Sequence, residues 1–341
     1  MTVQISDAAA LDAARVLLSR MGVDPAQLLA APENRPPVPT FTAYIPVVAA
    51  AVSAGTRRTY TSYWNRLEAK WGQRSLNEPS PTEVQQLAEE IKANAIVRRN
   101  SRGGRNTAEN FIAALRCLYK HAENDGLITE AENPARKTAK PRRLPSTRGA
   151  LADTQLAGIN HVAGTTGDDP ELDTLLIRLH TETACRRGGA LNLRPRDLDP
   201  DQCLIYLREK GETVRWQPVS PTLMTHLLAH VEQRDAADRN GQLLRYQHGE
   251  PITYRRYDHL WTRLGRYLSW VTTQNISTHW LRHTTLTWVE RNCGFAVAHA
   301  YAGHNDGTDH ATATMTYVKA TLHDVATALS ALTGEPHPLA D

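Results

Sequence analysis

Thr278-His-Trp-Leu-Arg-His283, Ala302-Gly-His304 and Met315-Thr-Tyr317 lie close together in one stretch of the chain. They line up His279, Arg282, His304 and Tyr317, all groups able to bind or attack a phosphate, so the stretch suggests a phosphodiester substrate. With Thr278 as a helix cap, His279 and Arg282 stand at i and i+3 and share one helix face. The rest of the sequence is read for what it adds to that face.

The chain has 341 residues, long enough for two domains with their own cores, and its 41% hydrophobic content is that of an ordinary folded protein. The net charge of +3 says little alone. The positive charge is mostly arginine and is clustered, which suits planar, bidentate phosphate contacts. Cys117, Cys185, Cys203 and Cys293 are far apart without a CxxC pair. Neither a disulfide framework nor a zinc knuckle is expected, and a reducing cytoplasm is the expected location. No apolar run of about 18 residues occurs, and the first residues lack a basic segment followed by an apolar one, so neither a membrane span nor a secretion signal is expected.

Residues 1–39 read as an N-terminal extension: one or two short helices over 7–30, carrying Leu11, Val16, Leu17, Leu28 and Leu29, then a Pro-rich linker. Residues 40–139 read as helical throughout. Thr56 starts a helix with Tyr60, Trp64, Leu67 and Trp71. Pro81 starts one with Val84, Leu87 and Ile91, and Thr107 one with Phe111, Leu115 and Leu118. Between the last two lies a basic segment with Arg98, Arg99, Arg102 and Arg105.

Residues 134–148 contain Arg136, Lys137, Lys140, Arg142, Arg143 and Arg148 among prolines and no acid, so the segment reads as extended and positive. It is either a solvated interdomain linker, placed at 140–149, or a strap across a DNA backbone, where each neutralised phosphate releases counterions. Two basic segments beside one helical module favour the strap.

Residues 150–341 read as helical with one β interruption. Asp153 and Asp173 start apolar helices, Cys203–Arg208 is a strand, Glu209–Glu212 a turn, Thr213–Gln217 a return strand, and Pro221 opens a helix at its first position. Lys210 then sits on a hairpin tip. The fold class expected is mainly α with two domains: an all-α DNA-binding domain and a mixed α/β domain with a small antiparallel hairpin or sheet.

A further arginine cluster is Thr183-Ala-Cys-Arg186 followed by Leu191-Asn-Leu-Arg-Pro-Arg-Asp-Leu-Asp199. It resembles the first arginine box of the tyrosine recombinase (phage integrase) family. Lys210-Gly211 with Arg215 and Pro218-Val219 is similar to that family's β-hairpin lysine segment. His279-Trp-Leu-Arg282-His283 resembles its His-x-Leu-Arg-His box, Gly303-His304 its Gly-His box, and Tyr317 falls where the nucleophile is expected. The resemblance spans roughly residues 40–333, with every box in family order, and the helical module with its basic strap resembles the family's core-binding domain.

The resemblance implies a site-specific DNA recombinase that cleaves and rejoins double-stranded DNA through a covalent 3′-phosphotyrosine. Tyr317 is the expected nucleophile, and Arg186, Arg282 and His279 the expected ligands of the non-bridging oxygens. Lys210 is the expected general acid toward the leaving 5′ oxygen; His304 either donates to the phosphate or positions the tyrosine. The ester conserves the energy of the broken bond, so no cofactor is expected, and no metal either, since the chain offers no evident cluster of acidic ligands. A homo-tetramer on DNA is the expected assembly, joined by a C-terminal helix with Leu322, Val325, Leu329 and Leu332 on one face, with an accessory DNA-bending protein as a possible partner. Alternatives are a DNA-relaxing or end-resolving relative and a catalytically silent DNA-binding protein.

Three departures stand out. The family usually has an acid three residues after the first arginine, where this chain has Gly189, so the partner that would orient the site is missing or comes from elsewhere. The glycine of the Thr-Gly pair is Ala184. The interval from His304 to Tyr317 is longer than the common family spacing, which leaves Tyr301 and His310 as substitutes to be weighed.

Overall fold

The computed structural model describes residues 7–22, 36–95, 104–142, 149–209, 213–234, 238–303 and 320–340. The chain forms two compact units, Met1–Leu144 and Pro145–Asp341. It is mainly helical with one small antiparallel sheet, the fold class that the sequence implies.

In the first unit the described helices are α1 (Asp7–Arg20), α2 (Phe41–Ala51), α3 (Ala54–Trp71), α4 (Pro81–Ala93), α5 (Arg105–Asn124) and α6 (Pro134–Lys137). Caps set their starts. The Ser53 hydroxyl accepts from the Thr56 amide, so α3 begins before Thr56. Ser80 and Glu83 form a capping box around Pro81. The apolar faces of α2 to α5 meet in a core around Phe41, Trp64, Leu67, Phe111, Leu115 and Tyr119. Its two most deeply buried polar aromatics are satisfied: the Trp64 indole donates to the Ala114 carbonyl at 3.1 Å and the Tyr119 hydroxyl to the Leu76 carbonyl at 2.7 Å. Leu11, Val16 and Leu17 of α1 stay exposed.

The segment expected to be extended from Pro134 instead begins as a turn of helix. The Asn133 side chain accepts from the Ala135 amide, Pro134 takes the first helical position, and Arg116 of α5 donates to the carbonyls of Ala135 and Thr138. An Asn-Pro pair starts a helical turn here although no apolar periodicity follows it.

In the second unit the described elements are α7 (Asp153–Thr165), α8 (Pro170–Thr183), the short α9 (Arg187–Leu191), strands β1 (Leu198–Asp199), β2 (Leu204–Arg208) and β3 (Val214–Pro218), α10 (Pro221–Gln233), α11 (Tyr254–Tyr267), α12 (Ser269–Thr273), α13 (Thr278–Cys293), α14 (Phe295–Tyr301) and α15 (Leu322–Thr333). The strands run in the order β1-β2-β3, each pair antiparallel, with Tyr206 opposite Trp216. Asp169 rather than Asp173 caps α8; Asp173 is buried and pairs with Arg256 and Arg263. Helix α13 packs between α8, α14 and α15, so the His-x-x-Arg segment at 279–282 starts a helix that is threaded through the core.

The C-terminal helix departs from expectation. Val325 and Leu329 of α15 are buried within the chain in a cluster with Val289, Ala298 and Tyr301; Leu322, at 37% exposure, is left at its outer end. Its apolar face is largely spent at home. Among the described residues no helix is long and apolar enough to cross a membrane.

Candidate active site

Helix α8 ends at Thr183, and the chain turns through Ala184, whose φ of 50° is left-handed, before Arg186 caps α9. A glycine would adopt this conformation without strain, so the alanine here is held by its surroundings. Beneath the turn, His180 Nδ1 lies 3.0 Å from the Cys185 carbonyl and its Nε2 lies 3.0 Å from the Tyr257 hydroxyl. Burial lowers the His180 pKa to about 4, so the ring is neutral at pH 7. A carbonyl only accepts; Nδ1 therefore carries the proton, and Tyr257 donates to Nε2.

Arg282 approaches the same turn from α13. It is 4% exposed; Nη1 donates to the Ala184 carbonyl, and Nη2 to the Ala302 carbonyl at 2.8 Å. One guanidinium therefore joins the first arginine box to the residue before Gly303-His304. Burial, then the like charge of Arg186, lowers the Arg282 pKa to about 10, with Glu209 opposing and Arg215 adding to the shift. It stays charged at neutral pH, in a setting where a further anion would be favoured.

His279 is exposed one turn earlier, its ring edge-on to His283 with centroids 4.8 Å apart. The i, i+3 relation places His279 and Arg282 as neighbours on α13, although one points outward and the other into the core. Thr278 is not the cap. Ser277 precedes the helix, and the Thr278 hydroxyl instead accepts from the Trp261 indole at 2.7 Å.

Glu209 escaped the sequence reading, and Arg215 entered it only as part of the hairpin lysine segment. Glu209, at the end of β2, has a fully buried side chain and was taken for part of a turn. It accepts from the Arg186 amide, from Arg186 Nη1 at 2.9 Å and from Arg215 Nη1 at 2.7 Å. Burial works against its charge, but Arg215 and Arg186 prevail and hold its pKa below the ordinary value. Arg215 also donates to Gln217 at 3.0 Å. It lies where a Cβ on Gly303, whose φ is +62°, would collide with Arg215 Nη1 at 2.3 Å, so the Gly-His box needs its glycine on both counts.

Tyr301 is excluded as a substitute nucleophile. It is fully buried, its hydroxyl donates to the Glu182 carbonyl, and burial raises its pKa. Lys210, His304, His310 and Tyr317 lie outside the described residues, as do Arg98, Arg99, Arg102, Arg143 and Arg148. Arg105, Lys137, Lys140 and Arg142 are exposed. Arg136 is engaged by Glu123 at 2.8 Å and Glu130 at 2.6 Å. Among the described residues no group of three or more His, Cys, Asp or Glu is placed to hold a metal.

The mainly helical fold, with arginines from separate motifs brought to one turn beside a β-hairpin, is that of a tyrosine recombinase. The chain belongs to the phage integrase family, whose sequence model matches residues 150–322. No curated protein matches it in sequence. Among solved structures it is similar to a lambda integrase tetramer bound to a Holliday junction, with 14% identity, TM-score 0.60, and coverage of 90% of this chain and 86% of that one. It is also similar to the Tn1549 transposon integrase in complex with a circular intermediate DNA, with 17% identity, TM-score 0.61, and coverage of 81% and 97%.

Proposed function

We propose that the protein is a site-specific DNA recombinase that cuts and rejoins strands through Tyr317. The observation that carries the reading is the meeting of Arg186 and Arg282 at the 183–186 turn, with Arg282 also bonded to Ala302. Two motifs distant in sequence supply the cations, and a third supplies a carbonyl that holds one of them. The family and the DNA-bound states of the lambda and Tn1549 integrases support DNA as substrate.

In this reading the Tyr317 oxygen attacks the scissile phosphorus, a tyrosyl–3′-phosphate bond forms, and the bond to the 5′ oxygen breaks. Lys210 supplies a proton to the departing 5′ oxygen, which leaves as a free hydroxyl. Arg186 and Arg282 hold the non-bridging oxygens as charge gathers on them, with His279 adding a hydrogen bond. His304 donates to the phosphate or positions the tyrosine. Attack of a new 5′ hydroxyl on the ester reverses the bonding and rejoins the strand. The exposed cations Arg105, Lys137, Lys140 and Arg142 contact DNA backbone in this reading, with Arg98, Arg99, Arg102, Arg143 and Arg148. Assembly on DNA as a homo-tetramer is part of it, as in the lambda integrase structure.

The test is capture from a library of nicked suicide duplexes with a randomised centre. A detergent-stable protein–DNA adduct, lost in Tyr317→Phe, is the expected result and also yields the site sequence. No adduct from the native protein, or one that persists in Tyr317→Phe, overturns the reading. Exchange between two captured sites then separates recombination from relaxation.

A further inference from the structure

Position 189 and position 209 are complementary. A Cβ built on Gly189 would lie 3.0 Å from Glu209 Cγ, 3.1 Å from its Oε1 and 3.4 Å from its Cδ. The space that a side chain at 189 would enter is therefore filled by the Glu209 carboxyl. That carboxylate does what an acid on α9 could do from the other side: one oxygen takes the Arg186 amide, the other is shared by the guanidiniums of Arg186 and Arg215.

Glu209 also closes the neck of the hairpin, its amide donating to the Thr213 carbonyl at 2.8 Å. It is the chain neighbour of Lys210. A carboxylate on α9 would have no such covalent link to the hairpin.

We infer that Glu209 is the positioning residue of this site: it replaces the acid absent at Gly189, fixes Arg186 and Arg215, and ties the base of the lysine-bearing hairpin to the arginine turn. In this chain the acid stands at the end of β2 and the space that accommodates it on α9. The inference rests on the recombinase reading. Glu209 holds the arginines, and through them the phosphate, without touching substrate.

The test uses the full-length protein and the duplex captured by the native protein, followed by single-turnover adduct formation. If the native protein captures no duplex, the functional reading fails and this inference with it. If it does, Glu209→Gln decides. Its rate constant should fall about 30-fold or more, as expected when a preorganised charge contact is loosened, while the reaction amplitude and DNA affinity stay near native. Misfolding would instead cut the amplitude. Glu209→Ala and Gly189→Asp should each be slow, the second because its carboxylate meets that of Glu209. The double variant should recover to within about fivefold of native, the non-additivity expected of residues sharing one space. A native rate constant in Glu209→Gln overturns the inference, and so does a folded double variant no faster than the slower single one.

Discussion

Helix α8 has arginines packed at both ends, and the two ends treat them differently. At its start, Arg234 is closed onto Asp169 at 2.8 Å, and Arg256 onto Asp173 at 2.8 Å and Asp168 at 3.0 Å, with Arg263 also on Asp173. At its end, Arg186 and Arg215 share the single carboxylate of Glu209, and Arg282 donates to the carbonyls of Ala184 and Ala302. Each guanidinium at the first end has carboxylate partners within the chain. At the second end Arg186 keeps 34% of its side chain exposed, so it can take a ligand. The same residue type serves the fold at one end and the site at the other.

Substitution should separate the ends. The largest effect on folding is expected from Arg256→Ala, which takes one partner from the buried carboxylate of Asp173; losing one side of a buried pair costs about 3–5 kcal/mol. Denaturant unfolding would read this as a lower midpoint at unchanged slope, and a loss below about 1 kcal/mol would erase the distinction. Arg186→Ala should do the reverse. Loss of one preorganised donor slows the chemical step by about 10²–10³-fold, while the melting temperature moves only a few degrees. A large stability loss with a near-native rate constant in the folded fraction would make Arg186 a structural arginine like Arg256.

What the sequence made legible follows the same division. Arg186, His279 and Arg282 are readable because each sits in a short motif with its own spacing. Glu209 was not, because its role depends on β2 approaching α9 and on a side chain that Gly189 lacks, which sequence records only as an absence. The helices of the first unit were readable from apolar spacing, with starts misplaced where Ser53 reaches back to cap α3. At α8 the Asp-Pro pair at 169–170 was passed over for Asp173, which lies inside the helix as a buried ion-pair partner. Strand β1, two residues long, is too short to show a period. The apolar face of α15 was evident, but periodicity cannot say what covers it; Val325 and Leu329 show that the chain itself does. Removal of residues 321–341 therefore takes away part of the core, so failed synapsis in such a truncation would not isolate an assembly role.

The contrast between closed and open cations extends to the basic segment after α5, where the expected effect is smallest. Arg136 was grouped with its neighbours as a phosphate contact, yet Glu123 and Glu130 hold it at 2.8 and 2.6 Å, whereas Lys140 is exposed. A cation that must first leave two carboxylates gains little by meeting a phosphate, and it releases no net counterion in doing so. On the captured duplex, Lys140→Gln should flatten the plot of log affinity against log salt by about 0.9, the increment for one phosphate contact, and Arg136→Gln should leave the slope nearly unchanged. Equal flattening by both would show that DNA draws Arg136 away from its acids, and that closure by carboxylates does not mark an arginine as structural in this protein.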